Sequence, residues 1–529
     1  MIWSQNYDPF GSAPVATILA ALPVAALFYL LAVRKTTAWK AAAASFLLAA
    51  ALAWAAFGMP APMVAGSIAH GFVYAVIRII WTLLAAVFVY EITVETGQFE
   101  TIKASIGNIT DDRRLQVLLV AYAFGAVLEG AGGGGAPVAI CAAMMVGLGF
   151  PPFQSAVLCL IANTAPVAFG GMGNPIRTLV AVTGLPEMAL SATVGRILPW
   201  TAMILPFWLI RAYTGWQATW EVWPGLIACG AFFAAVQFLW SNFVDAALVD
   251  IMGGMLTLIW LAILFRRWRP GSSAPLGAGR VIKAWSPFLI LAVLVVLWGL
   301  PVVKSVVDAP TLRIPVPGLH NLVQRTAPVV ATPHTEPALF DIAWLSAVGT
   351  PTFLAGLVAG PLLGLSVGRT LAVFGRTCWR MRASMLAILA MLGLGFVTRY
   401  SGMDAVMGLA LSNTGWLFPF FGTLIGWLGV ALTGTDAGSN ALFGSLQVIT
   451  ANKVGVSPVL MAAANSAGGV MGKMIDAQSI IVGCVATGME GREGDLFRAV
   501  LKHSIALAAL VAGIVMLYAY VTPWIVPAA

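Results

Sequence analysis

Apolar runs of membrane-spanning length recur along the whole chain, separated by short polar or charged interruptions. Residues 13 to 33 (APVATILAALPVAALFYLLAV) form one such run and 287 to 303 another, and a helix needs about 20 such residues to cross the hydrocarbon layer. A transmembrane barrel would alternate over segments of roughly ten residues, so the pattern predicts helices. Three runs, 115 to 149, 419 to 450 and 457 to 489, are too long for one crossing. A straight helix rises about 1.5 Å per residue, so each of these has to break, tilt or re-enter. The expected fold is an all-α polytopic membrane protein with about 12 to 14 transmembrane helices.

The polar interruptions repeat. NTAPVAFGGM at 163 to 172 and NSAGGVMGKM at 465 to 474 share Asn, Ala, Gly and Met in register, with Thr matched by Ser. Ahead of each lies a glycine-rich break, LEGAGGGGAP at 128 to 137 and LTGTDAGSNA at 432 to 441. Both pairs are separated by about 300 residues, the mark of an internal repeat. Residues 1–265 and 341–529 are expected to be the two halves, joined by 266–340 with a basic loop, one span and a Pro-rich outer loop. Arg113 and Arg114 precede the first break, whereas Leu417 and Phe418 occupy the matching place before the second. The halves are therefore expected to enter from opposite sides, as two inverted repeats with broken or re-entrant half-helices at the midplane, where transporters of this kind hold substrate.

Charged residues are 9% of the chain, against about 25% in soluble domains, which excludes a soluble enzyme. The net charge of +8 sits in short connections, around Arg34, Lys35 and Lys40, Arg113 and Arg114, Arg266 to Lys283, Arg369 to Arg382, and Arg492 to Lys502. It reports orientation rather than nucleic-acid binding: these loops are expected inside, and both termini with the loop from Lys304 to Asp341 outside. The N-terminus lacks the basic start of a cleavable signal, so the first apolar segment is expected to stay. Five cysteines without a CxxC pair imply no disulfide framework. The four histidines show no zinc spacing, and neither GxSxG nor a Walker A sequence is present, so no catalytic, metal or cofactor site is expected.

Carboxylates inside a membrane are costly and call for a reason. Glu129 and Asp436 are candidates for carrying a coupling proton or ion; the alternative is that each caps a half-helix. The run Gly132, Gly133, Gly134 and Gly135 lets the backbone unwind and approach a ligand, so that amides of the next half-helix face a carboxylate; close helix packing is the other reading. Thr435, Ser439 and Asn440 offer the equivalent half-helix start. Asn163, Thr164, Asn465 and Ser466 place neutral donors at matching positions, for a substrate hydroxyl or as interhelical hydrogen bonds. Lys473 stands where the first repeat has Gly171 and needs a partner such as Asp436 or a substrate anion, snorkelling being the other reading. Arg78, Arg177 and Arg399 lie in or beside apolar runs, as further anion contacts or as interfacial arginines.

WSQNYDPFG at the start, VYEITVETGQFETI at 89 to 102, LEGAGGGGAPVAI, LCLIANTAPVAFGGMGNPI at 158 to 176, WLGVALTGTDAGSNALF at 427 to 443, AAANSAGGVMGKMIDAQSI at 462 to 480 and GDLFRAVLKHSI at 494 to 505 resemble the bacterial L-lactate permease family over essentially the whole chain. The resemblance implies a secondary transporter of the inner membrane that moves L-lactate, and in related members D-lactate or glycolate, together with protons. Gly134 and Asn174 depart from the family pattern, which adds room and a donor. A proton-coupled 2-hydroxymonocarboxylate symporter is the expectation, and a sodium-coupled carrier or channel for another small carboxylate the alternative.

Overall fold

The computed structural model describes residues 2–30, 34, 36–131, 136–272, 276–330, 332–489 and 492–528. Helices dominate because in hydrocarbon every backbone N–H and C=O has to be satisfied within its own segment. After the short strand β1 (Trp3–Ser4), the chain runs through α1 (Ala13–Phe28), α2 (Ala38–Ala55), α3 (Ala61–Glu95), α4 (Gln98–Gly107), α5 (Arg113–Ala131) and α6 (Ala136–Gly147). Then follow α7 (Pro152–Ala162), α8 (Gly170–Thr183), α9 (Glu187–Thr214), α10 (Trp216–Trp220), α11 (Trp223–Phe243) and α12 (Ala246–Trp268). The middle of the chain holds α13 (Ala278–Gly299) and α14 (Pro301–Asp308), then β2 (Leu312–Pro315), β3 (Val323–Arg325), β4 (His334–Thr335) and β5 (Leu339–Ile342). The last part is α15 (Gly349–Leu362), α16 (Val367–Ser401), α17 (Met403–Leu411), α18 (Phe418–Thr433), α19 (Asp436–Val454), α20 (Pro458–Gly472), α21 (Ala477–Ala486) and α22 (Glu493–Tyr520).

Against the 12 to 14 crossings expected, nine helices among the described residues are long and apolar enough to span, or eleven if each of two bent pairs is one span, with three shorter apolar helices besides. The protein is a multi-pass helical membrane protein. The loop between α14 and α15 is not irregular throughout: β1 pairs in parallel with β3, which pairs with β4, while β2 and β5 form an antiparallel ribbon. Gln5 then donates to the carbonyls of Arg399 and Tyr400, so the N-terminal segment is tied to the end of α16.

Two hairpins decide where the site lies. Arg113, at the start of α5, donates to the carbonyl of Gly149, just past α6, so both ends of this pair meet at one face. In the other, Gln447 near the end of α19 donates to the carbonyl of Gly422 near the start of α18. α22 relates the two. Its start lies beside the first base, with the Arg492 guanidinium 5.5 Å from the Phe153 ring, and its end lies beside the second, where Tyr520 donates to the Trp416 carbonyl at 2.8 Å. A helix of 28 residues is about 42 Å long, enough to cross the membrane. The hairpins therefore enter from opposite faces, and the long runs at 115–149 and 419–450 each return to the face they start from.

Candidate functional site

The tip of the second hairpin is made by two residues with opposite roles. Gly434, at φ 78°, takes the left-handed position that ends α18, and Thr435 in extended geometry starts α19 by accepting from the Gly438 amide at 3.0 Å; glycine is favoured at the first position and threonine at the second for those reasons. α20 lies close along α18 because only glycine fits the seam. A Cβ on Gly426, Gly468 or Gly472 would strike the backbone carbonyls of Asn465, Thr423 and Trp427.

α20 breaks beside this tip. After Lys473, the chain turns at Asp476, whose carboxylate accepts from the Ser479 amide at 2.9 Å and caps α21. Lys473 Nζ donates to the Gly434 carbonyl at 2.6 Å and lies 3.1 Å from Asp476 Oδ2. The ammonium is 2% exposed and has three donors, so among the described residues one remains beyond these two acceptors. Asp476, and not the Asp436 offered as an example, is thus the direct ion-pair partner of Lys473. Asp436 instead accepts from the Ser466 hydroxyl, its Oδ1 has no donor, and Gly469 makes the space for it. Thr435 and Gln478 are exposed while Asp436, Lys473 and Asp476 are buried, so the charged groups lie one residue beneath the accessible surface.

The first half is built differently. Between α7 and the regular part of α8, Gly171, Met172 and Gly173 all adopt left-handed geometry, at φ 51°, 61° and 75°. A Cβ on Gly173 would sit 2.9 Å from backbone atoms of Ala246, and one on Gly170 would sit 2.6 Å from Glu129 Oε1. Glu129, in the last turn of α5, is 3% exposed and its Oε2 has no donor. Asn163 faces it, although neither amide atom of Asn163 reaches hydrogen-bond geometry. Thr164 donates to the Ile161 carbonyl. Gly132, Gly133, Gly134 and Gly135 lie outside the described residues.

The two halves meet through these groups. Asn440 donates to the Pro175 carbonyl at 3.1 Å, joining the start of α19 to the start of α8. Glu129 interacts electrostatically with Lys473 and Asp476, and Asp436 with both Glu129 and Lys473. Asn465 and Ser439 belong to a closed interhelical network: Asn465 donates to Asn440 at 2.9 Å and accepts from Gln447 at 3.1 Å, and Ser439 donates to the Gly426 carbonyl. For Asn465 the interhelical hydrogen-bonding reading describes what the structure holds, and Ser439 and Asn440 are drawn into the same network.

The three arginines all have partners. Arg78 pairs with Asp341, Arg177 with Glu187, Asp245 and the Met172 carbonyl, and Arg399 with Glu336 and the Ala181 carbonyl. Each is thus held by groups of the protein itself.

Sequence reasoning missed Asp250. It stands on α12 fully buried, with neither carboxylate oxygen hydrogen-bonded, and interacts with Glu129. A Cβ on Gly130 would lie 2.9 Å from its own Cβ, so α5 and α12 touch here. The signal was a lone carboxylate in the apolar run at 247–265, and the same signal was present at Asp404, also buried, which accepts from Ser445. Four carboxyl groups, Glu129, Asp250, Asp436 and Asp476, and one ammonium thus form a linked polar cluster. Such a cluster in hydrocarbon cannot carry all its charges at once without a large desolvation cost.

A sequence model of a family described as "L-lactate permease" matches residues 16–522. "Glycolate permease GlcA" of Escherichia coli (strain K12) is 42% identical over 98% of this chain and 98% of its own. "L-lactate permease" of the same strain is 42% identical over 99% and 100%, and that of Bacillus subtilis (strain 168) is 39% identical over the whole of both chains.

Proposed function

We infer that this chain, which belongs to the L-lactate permease family and so is a permease and not an enzyme, imports L-lactate, with D-lactate or glycolate as further substrates, together with protons across the bacterial inner membrane. Support for the substrate class comes from the relatives' names, which are glycolate and L-lactate permeases. The observation that carries the mechanism is the buried ammonium of Lys473, fixed between the two half-helix breaks of the second half and electrostatically linked to Glu129 of the first.

A short 2-hydroxy acid is almost wholly ionised near neutral pH, since carboxyl groups titrate near about 4. Entering alone it would oppose an inside-negative potential, and one accompanying proton makes the step electroneutral. The remaining N–H of Lys473 and the exposed end of α19 at Thr435 receive the carboxylate. Asn163, Thr164 and Ser466 face the hydroxyl. Glu129, with an unbonded oxygen beside Asp250 and within the field of Lys473, holds the proton, and Asp436 is its counterpart in the second half. Substrate charge near Lys473 weakens the hold of that ammonium on Glu129, which is how binding and protonation become linked.

The test is purified protein in liposomes under an inward proton gradient, following labelled L-lactate with unlabelled D-lactate, glycolate, pyruvate and a dicarboxylate as competitors. Gradient-driven accumulation that short 2-hydroxy acids block is expected. Glu129→Gln and Asp436→Asn are expected to keep the fold and lose proton-driven accumulation; unchanged coupling in both, or accumulation that follows sodium instead, would refute the proton assignment.

A further inference from the structure

A second polar pocket lies away from the hairpins, on the rim that carries the basic clusters. Trp208 and Arg211 near the end of α9, Gly215 and Trp216 after it, and Lys502 and His503 of α22 enclose a cavity of about 530 Å³. It sits at the basic face because Arg114, at the start of α5, donates to the Ala218 carbonyl and to Glu221, just past this turn. Its geometry is held from within. Trp208 Nε1 donates to His503 Nδ1 at 3.0 Å, and the Arg211 guanidinium stacks on the Trp216 ring at 4.8 Å. The charges of Lys502 and Arg211 both reach His503, so two cations converge on one small volume. Among the described residues neither forms a salt bridge with a carboxylate.

What leaves the pocket identifies the occupant. Along α9, one and two turns back from Trp208 and Arg211, Trp200, Met203 and Ile204 are exposed, and along α22 Leu510, two turns on from His503, is exposed on the same side. At the far end of the same seam Trp200 donates to the Tyr518 hydroxyl at 2.8 Å. A two-cation pocket thus opens onto an apolar track between two spanning helices, with exposed Trp216 and Trp220 stacked at the polar end. Aromatic side chains of this kind occupy the headgroup level, and clustered cations there attract anionic headgroups.

We propose that the pocket of Arg211, Trp216, Lys502 and His503 binds the phosphodiester headgroup of an anionic phospholipid, whose acyl chains lie in the seam between α9 and α22. The lipid bridges a helix of the first half to α22, which itself connects the bases of the two hairpins, so it braces the frame against which the hairpins sit. The proposal stands independently of the transported substrate.

The experiment uses the full chain in detergent micelles and titrates phosphatidylglycerol, phosphatidylcholine or inorganic phosphate while following thermal unfolding. Phosphatidylglycerol is expected to raise the unfolding temperature saturably, and the other two to leave it unchanged. Each interfacial cation contributes roughly fivefold to such affinity, so Lys502→Gln is expected to weaken phosphatidylglycerol binding about fivefold and Arg211→Gln with Lys502→Gln about 30-fold. Lys502 is exposed, so its replacement alone leaves folding intact and keeps the test valid if the double variant fails to fold. Equal half-saturation for the wild type and Lys502→Gln, or equal protection by inorganic phosphate, would overturn the assignment.

Discussion

The two halves answer one problem, how to stop a helix inside a membrane, with different chemistry. In the second half each charged group at the break has at least one partner, although Asp436 Oδ1 and Asp476 Oδ2 accept no hydrogen bond. Gly434 turns the chain, Thr435 and Asp476 cap the helices that follow, and Lys473 bonds to a carbonyl and pairs with a carboxylate. In the first half the turn rests on three successive left-handed residues, and the polar groups around it, Glu129, Asn163 and Asp250, keep atoms without hydrogen-bond partners. Buried polar atoms are almost always bonded, and an exception needs an explanation. The contrast teaches that the second break is a fixed frame, whereas the first holds the groups still free to exchange partners.

Breaking the frame has the largest expected effect. Lys473→Met leaves the Gly434 carbonyl and Asp476 without their cation, and removing one partner of a buried pair costs about 3–5 kcal/mol. Uptake in liposomes is expected to vanish, with a large fall in unfolding temperature. Near-normal uptake would show that the ammonium is dispensable. Gly173→Ala strikes the other half. It forces a side chain into the left-handed region against the Ala246 backbone, and the φ angle alone costs about 1–3 kcal/mol. A stability equal to wild type in thermal melts would mean that the turn relaxes freely.

The sharpest comparison pairs the two asparagines of the repeat. Asn465→Ala strips partners from Asn440 and Gln447, and a buried group left unbonded costs about 1–3 kcal/mol. Asn163→Ala removes no hydrogen bond, so its stability is expected to stay near wild type while lactate uptake falls. If the melts of the two variants are alike, the contrast between a bonded Asn465 and an unbonded Asn163 fails. The smallest effect belongs to the base of the first hairpin. Burial acts to raise the Asp112 carboxyl, but the bonds from Arg114 and the nearby Arg269 outweigh it and hold the group below its ordinary range. A carboxylate depressed in the folded state adds stability above its unfolded value and loses it as pH falls through the folded one. The deficit in unfolding temperature of Asp112→Asn is therefore expected at neutral pH and to shrink below about pH 4; a deficit independent of pH would assign it to lost packing.

Much of this molecule is legible in its sequence. The interrupted apolar runs announce broken helices, and the matched segments at 163 to 172 and 465 to 474 fall at the two breaks. Glu129, Asp436 and Lys473 stand out because charge in an apolar run is costly wherever the chain goes. The same criterion would have found Asp250 and Asp404. It could not have told that Asn465 and Asn440 bond to each other, or that Lys473 takes Asp476 rather than Asp436, because an i,i+3 pair inside an apolar run has no visible geometry until the helix is known to break between its members. The partners of Arg78, Arg177 and Arg399 were equally hidden, since they lie between 10 and 263 residues away along the chain.

What the sequence determined by itself was the class of the molecule and the places where its helices fail, because hydrophobic length, glycine runs and the cost of buried charge are local properties. Which face each hairpin enters from followed only from α22, whose ends touch the bases of both. That Lys473 and Glu129 share one field, and that Arg211 and Lys502 share one pocket, was likewise decided by tertiary structure. The physical reason is range. Propensity and burial cost act over a few residues of sequence, whereas charge and hydrogen bonding act over a few ångströms of space, and only the packed chain brings residues some hundreds of positions apart within that distance.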